Sequence, residues 1–289
     1  MAVVYFNGDL LNEDEVKVSV NDAGYYYGDG IYEVILYYKG KFIDKDAHLD
    51  RLVRCMHNVH FNNVPSKDEI FDNIKKVVSR NEEIFSNNNS VSIYIQITRG
   101  CAVRSHTFGT LNLQPSVLIK PILCDVGNKM KQWSCNIVED PRRMHREIKM
   151  TSLMPMVIAK YESEKDGYDD VIFYNSNVNS ITEGSSFNVF IVSKDNEIIT
   201  CPNGKEILPG CTRARVIDLL AKRGLKVIEK FYSKEQLFDA KEVFATAALK
   251  PVASIIKVDD KPIFDGKVGE ITALAYDDYM LYCEKLQPD

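Results

Sequence analysis

Three stretches in the second half of the chain hold residue types that could do covalent chemistry. In Thr182-Glu183-Gly184-Ser185-Ser186-Phe187-Asn188-Val189-Phe190 one acid stands beside Gly-Ser-Ser, and an apolar run follows to Val192. Such runs read as buried strands, and a carboxylate at the mouth of one costs free energy unless a cation or hydrogen-bond donor meets it. Glu183 therefore needs a partner, unless it is a surface acid before a tight turn. Lys149 lies between Ile148 and Met150, with Leu153 close by. A lysine with apolar neighbours is a candidate nucleophile and base, although a lysine in a charged segment is commonplace. Pro209-Gly210-Cys211-Thr212 opens a helical pattern, where unbonded backbone N–H groups and the positive end of the dipole favour a phosphate. An amine that forms an imine, a carboxylate for a pyridine nitrogen and a phosphate cradle are the parts of a pyridoxal phosphate site. Each part alone is weak.

The elements that must position these residues follow from periodicity. Residues 3–6 and 16–20 read as short strands around an Asn7-Gly8 turn, and Tyr32 to Tyr38 as a strand after a glycine-rich loop. That loop's glycine spacing does not fit a dinucleotide fingerprint. Leu49, Leu52, Val53, Met56 and Val59 recur at helical spacing, with Arg51 and Arg54 off the stripe. Ser66 to Glu69 caps a second helix, and Val91 to Ile97 alternates as a half-buried strand. Val117 to Leu123 is a further strand.

A segment without periodicity, residues 124–134, is expected to link an N-terminal domain (1–123) to a larger C-terminal one (135–289). In the second half the pattern predicts strands at 135–139, 171–174, 187–192, 197–200, 225–231 and 243–249. It predicts helices near 156–165, after Pro209, after Ser233 and from about Glu270. The fold class is mixed α/β.

Bulk properties bound the partners. The 289 residues carry 36 basic and 41 acidic side chains, a net charge of -5, with no basic block. This argues against nucleic acid and against an anionic membrane surface. No stretch approaches the roughly 18 apolar residues of a membrane span. Seven scattered cysteines, never in a Cys-x-x-Cys pair, suggest a reduced, cytoplasmic setting. His57 and His60 have no third partner at a ligand spacing, so no metal is expected.

Read together, the motifs resemble a known family. Glu183 to Phe190, seven residues, Ile198-Ile199-Thr200, seven more, then Leu208-Pro209-Gly210-Cys211-Thr212-Arg213 is similar to the signature of the class IV (branched-chain and D-amino-acid) aminotransferases. Cys211 stands where an aliphatic residue is usual. Gly28 to Glu33, His48 to Leu52 and Asp265 to Glu270 also match family segments in family order.

The resemblance implies a fold-type-IV enzyme: two α/β domains with a pyridoxal phosphate site between them. Lys149 would carry the cofactor and then move the proton at the substrate's Cα; Glu183 would face the pyridine nitrogen. Arg51, Thr212 and the N–H groups of Cys211 and Thr212 would hold the phosphate, with Ser186 a further candidate. A late Ser/Thr-rich turn is replaced by Ala245-Thr246-Ala247-Ala248, so hydroxyls are missing at the expected contacts and the N–H of Ala248 is left to serve.

Arg104-Ser105-His106 and Tyr32 match the carboxylate trap of the D-amino-acid branch, and a guanidinium offers a carboxylate two parallel donors. In the family this loop reaches the partner subunit's site, which implies a homodimer. The implied reaction moves an amino group between a D-amino acid, of the D-alanine or D-glutamate type, and a 2-oxo acid. The alternatives are a branched-chain L-amino-acid aminotransferase and an aminodeoxychorismate lyase. Met154 stands where the branched-chain branch would have tyrosine.

Overall fold

The computed structural model describes residues 2–107, 112–127, 129–142 and 144–287. Asn128 of the expected linker and Arg143 lie outside them. Two compact units are present. One takes the chain to Asp125, with Ile148–Ser152 and the segment from Leu286; the other comprises Val126–Glu147 and Leu153–Lys285. These limits differ from the expected ones in three places. The residues read as linker divide between the units, and 131–134 already belong to a strand; the segment holding Lys149 counts with the first unit, and so does the segment from Leu286.

In the first unit, Asn7 and Gly8 sit at positive φ (49° and 107°) and turn β1 (Val3–Phe6) directly into β2 (Asp9–Asn12). The return strand was expected at 16–20. A two-residue turn fixes the register so that Phe6 faces Asp9, and the pairing is complete by Asn12. The six-stranded sheet runs β2-β1-β6-β5-β3-β4, every neighbour antiparallel, with β3 (Gly30–Tyr38), β4 (Lys41–Phe42), β5 (Ser90–Thr98) and β6 (Ser116–Leu123).

Helices α1 (Ala23–Tyr27), α2 (Lys45–Asn58), α3 (Lys67–Arg80) and α4 (Glu82–Asn87) complete the unit. Ser66 caps α3 by accepting from the Glu69 N–H at 3.1 Å. The apolar stripe of α2 packs with Ile35, Ile93, Ile95 and Ile97 of the sheet, and Ile148 is buried in the same core. Burying a side chain of that size stabilises by roughly 2 kcal/mol. It anchors the residue next to it, Lys149.

The second unit holds a nine-stranded sheet in the order β12-β11-β10-β13-β14-β7-β8-β9, with β15 on β14. Its strands are β7 (Lys131–Glu139), β8 (Asp170–Asn175), β9 (Ser180–Gly184), β10 (Asn188–Val192), β11 (Ile198–Thr200), β12 (Val227–Glu229), β13 (Glu242–Ala247), β14 (Lys250–Val258) and β15 (Lys261–Pro262). A further pairing of β9 with β10, Glu183 opposite Asn188, closes the path into a ring. Helices α5 (Met154–Lys165), α6 (Cys211–Lys222), α7 (Lys234–Phe238) and α8 (Glu270–Lys285) belong to this unit. Glu183 is thus not at the mouth of a strand but within one, on β9, at the point where the ring closes.

Candidate active site

The residues singled out by the sequence fall into groups, each inside one unit. In the first unit, the segment around Lys149 is held against the start of β3 as if it were another strand. The Tyr32 N–H donates to the Lys149 carbonyl at 3.0 Å, the Thr151 N–H to Gly30 O at 2.9 Å, and Ile31 bridges Met150. The Thr151 hydroxyl donates to Gly28 O at 2.8 Å. A Cβ on Gly30 would come within 2.9 Å of that hydroxyl, so this approach requires glycine. With its backbone pinned on both sides, Lys149 places its amine 4.1 Å from the centre of the Tyr32 ring. Two residues expected at the site, Lys149 and Tyr32, are therefore neighbours.

Arg51 is buried rather than off the core-facing side of α2, because a carboxylate meets it there. Glu33, wholly buried on β3, accepts from Arg51 at 2.7 and 3.0 Å and lies 2.5 Å from His48 Nδ1. His48 and Arg51 lie one turn apart on α2, so both reach the same acid. Burial pushes Glu33 up, but Arg51, His48 and then Lys149 outweigh it and hold the carboxyl at about 2. Glu33 and His48 were not singled out in the sequence; a glutamate inside a strand pattern was the available signal.

In the second unit, Glu183 is 4% exposed. Its carboxylate accepts from the Leu208 N–H at 3.1 Å and from Asn188 Nδ2 at 3.1 Å, and is ion-paired with Arg142. Burial raises its pKa, the Arg142 charge opposes this most, and the balance stays above the ordinary carboxylate value. Asn188 also donates to Leu208 O at 3.0 Å, tying β10 to the chain that enters α6.

Gly210 caps α6, and no side chain bonds the helix end. A Cβ there would lie 2.1 Å from Asn188 Oδ1, so only glycine allows Cys211 and Thr212 to start the helix beside β10. Across from Asn188 on β13 stands Thr246. Its hydroxyl is buried and, among the described residues, has no hydrogen-bond partner. Hydroxyls were expected to be missing at the contact positions of the turn that follows, and Thr246 stands just before it, on β13. Ala248 sits in the two-residue turn between β13 and β14, and Ser186 is exposed.

These residues fit pyridoxal phosphate. A buried acid suits a protonated ring nitrogen. An uncapped helix start, the required Gly210 and an orphaned hydroxyl offer what a phosphate accepts.

Arg104 and His106 form a third group. Both are exposed and line a cavity of about 400 Å3 in the first unit, together with Tyr26, Tyr27, Asp29 and Arg99. Tyr27 is gripped by that loop: its hydroxyl donates to Ser105 O at 2.9 Å, Arg104 lies 5.5 Å from its ring and the His106 ring packs edge-on at 6.1 Å. Tyr32 is not among the residues lining this cavity. Arg104 and His106 were expected to act at the site of a partner subunit, so this placement within one chain leaves their pairing with Tyr32 to the dimer.

The chain belongs to the amino-transferase class IV family, whose model matches residues 30–258. Enzymes of this class are pyridoxal-phosphate-dependent aminotransferases. Over 286 residues, 98% of this chain and 99% of the relative, it is 32% identical to the D-alanine aminotransferase of Staphylococcus aureus (strain N315). Among solved structures, the branched-chain aminotransferase of the archaeon Thermoproteus uzoniensis with norvaline matches with a TM-score of 0.86 at 26% identity, over 98% of this chain and 96% of that one. The branched-chain amino acid aminotransferase of Escherichia coli has the same fold, with a TM-score of 0.87 at 22% identity over 98% and 94% of the two chains.

Proposed function

We propose that this protein is a homodimeric aminotransferase that exchanges the amino group of a D-amino acid, of the D-alanine or D-glutamate type, with a 2-oxo acid. Pyridoxal phosphate, when bound, supplies an electrophilic carbonyl and an electron sink for the pair of electrons left on the substrate's Cα. Lys149 holds the cofactor through its amine and, once released, takes a proton from Cα and returns one. Glu183 keeps a proton on the ring nitrogen. Arg51, the N–H groups of Cys211, Thr212 and Ala248, and the Thr212 and Thr246 hydroxyls bind the phosphate, with Ser186 at its edge. Tyr32, Arg104 and His106 receive the substrate's α-carboxylate.

The observation that carries this reading is the placement of Lys149: pinned by the start of β3, its amine lies against Tyr32. The identity to a D-alanine aminotransferase over nearly the whole chain supports the substrate class, as does Arg104-Ser105-His106. A direct test offers purified protein 2-oxoglutarate with D-alanine, L-leucine or aminodeoxychorismate. D-Alanine should be turned over at least about tenfold more efficiently than L-leucine, a difference of roughly 1.4 kcal/mol in transition-state binding. A preference for L-leucine would make the chain a branched-chain enzyme, and pyruvate release from aminodeoxychorismate a lyase. Lys149→Ala should abolish turnover and the visible absorbance of bound cofactor; turnover at the wild-type rate would remove Lys149 from its role.

A further inference from the structure

Behind Glu183 runs a buried series of alternating charges. Arg142 bonds Glu183 with one nitrogen of its guanidinium and turns the other two on Asp140, at 2.9 and 2.8 Å. Asp140 also accepts from the Arg142 N–H at 3.0 Å and pairs with Arg146 at 2.9 Å. Arg146 donates to the Arg142 carbonyl at 2.7 Å and to Glu206 at 2.9 Å, and Glu206 accepts from Asn175 at 2.5 Å. The side chains of Arg142, Asp140 and Arg146 are 12%, 1% and 8% exposed. Phe173 covers the guanidinium plane of Arg142 from 5.1 Å. An Arg fork used in this way has little rotational freedom, so it sets the direction of the carboxylate it meets.

We propose that Arg142 is a positioning residue for Glu183: it holds the buried carboxylate ionised and aimed, while Asp140 and Arg146 fix Arg142 in place. The proposal rests on the reading that Glu183 acts on the cofactor's ring nitrogen, and it assigns the control of that acid to a residue outside the family signature. Without Arg142, Glu183 would keep, among the described residues, the Leu208 N–H and the Asn188 amide, neutral donors that do not offset the burial of a charge. Among the described residues, Asp140 also acts on it, as does the Cys201 thiol, which burial and then Glu183 push up to about 12; Arg146 lies one step further away, on Asp140. Asp140 acts on Glu183 in the opposite sense to Arg142, because its charge repels a second carboxylate. The series thus contains two handles of opposite sign on one group.

The test follows the carboxyl titration of Glu183 by isotope-edited infrared spectroscopy in the full-length protein freed of cofactor, with Glu183→Gln identifying the band. Arg142→Met should move the titration upward by about one to three pH units. Arg142→Lys, which restores the charge but not the fork, should return the titration close to the wild-type position. Arg142→Met should also weaken pyridoxal phosphate binding, and in the loaded enzyme lower kcat with little change in KM. An unmoved titration in Arg142→Met, or a shift that Arg142→Lys does not reverse, would overturn the proposal, because loosened packing alone would not follow the charge. Should Arg142→Met not fold, Arg142→Gln, which keeps a hydrogen-bond donor without the charge, takes its place and should shift the titration the same way. Failure of the underlying reading looks different: Glu183→Gln would then bind cofactor and turn over as the wild type does, whatever the infrared titrations show.

Discussion

Glu33 and Thr246 show how single residues here depart from ordinary solution behaviour. Glu33 titrates at about 2 instead of 4.5 because Arg51, His48 and Lys149 outweigh its burial. A carboxyl depressed in the folded state adds stability above its unfolded value and loses it as pH falls through the folded one. The contribution is on the order of 3 kcal/mol at neutral pH, lost between about pH 4.5 and 2. Glu33→Gln should therefore be less stable than the wild type at neutral pH, since it leaves Arg51 facing a neutral group. The gap should narrow by about that amount as pH falls through this window, as measured by denaturant titration; a gap independent of pH would show that Glu33 is not ionised in the native state. For Thr246 the expectation reverses. Thr246→Val removes a buried hydroxyl with no partner among the described residues, so the cofactor-free protein should be as stable or slightly more so, while the Kd for pyridoxal phosphate should rise about tenfold. An unchanged Kd would take this hydroxyl out of the phosphate site. Neither residue was legible from local sequence. Glu33 is explained by His48 and Arg51 on a different element, and Thr246 by a strand neighbour, Asn188, that is far away in the chain. Arg142 gave no local signal either, because its partner Glu183 lies on β9, far along the chain.

Elements were legible where one periodicity dominated and invisible where hydrogen bonds took the place of apolar burial. The alternation of Val91, Ile93, Ile95 and Ile97 announced β5, and the stripe from Leu49 to Met56 announced α2. By contrast β9 reads Ser-Ile-Thr-Glu-Gly, with every residue buried and one aliphatic among them. Ser180 and Thr182 satisfy their hydroxyls on backbone carbonyls, at 2.8 Å to Ile181 O and 3.3 Å to Phe173 O. A polar strand of this kind has no hydrophobic period to detect. β14 was missed as well, since Pro251 near its start argues against a strand although it stands where pairing only begins. The signature glycine at the start of α6 was legible as a helix entry, but its reason is tertiary. Gly210→Ala should force the helix start away from Asn188 Oδ1, or turn Asn188 off Glu183 and Leu208. Either movement should cost about 1–3 kcal/mol of stability and weaken cofactor binding by about tenfold or more. A crystal structure of this variant with an unshifted helix and wild-type cofactor affinity would mean that the close approach has no role.

At the scale of the whole molecule, the substrate residues raise a question of assembly. Tyr32 accompanies Lys149, whereas Arg104 and His106 line a cavity from which Tyr32 is absent. The loop carrying them is apolar and exposed at Val103 (88%), and Tyr25 of the neighbouring α1 is 74% exposed. Exposed apolar groups of this kind are tolerated in water but are better covered. If Arg104 serves the site of a partner subunit, as proposed, a dimer of unlike variants should repair itself. In a hybrid of Lys149→Ala and Arg104→Ala subunits, one site lacks both residues, while the other keeps its own Lys149 and receives Arg104 from the Lys149→Ala partner. Each homodimer should be impaired: the first inactive, the second with a raised KM for amino acid and 2-oxo acid. Random reassociation at equal amounts makes half the dimers hybrid, so roughly a quarter of the sites should recover wild-type KM. Arg104 acting within its own chain predicts the opposite, because no site in the mixture would then combine Lys149 with Arg104. Recovery of the low-KM activity on mixing decides between the two arrangements, and its absence in a mixture shown to contain hybrids would place Arg104 in the site of its own subunit.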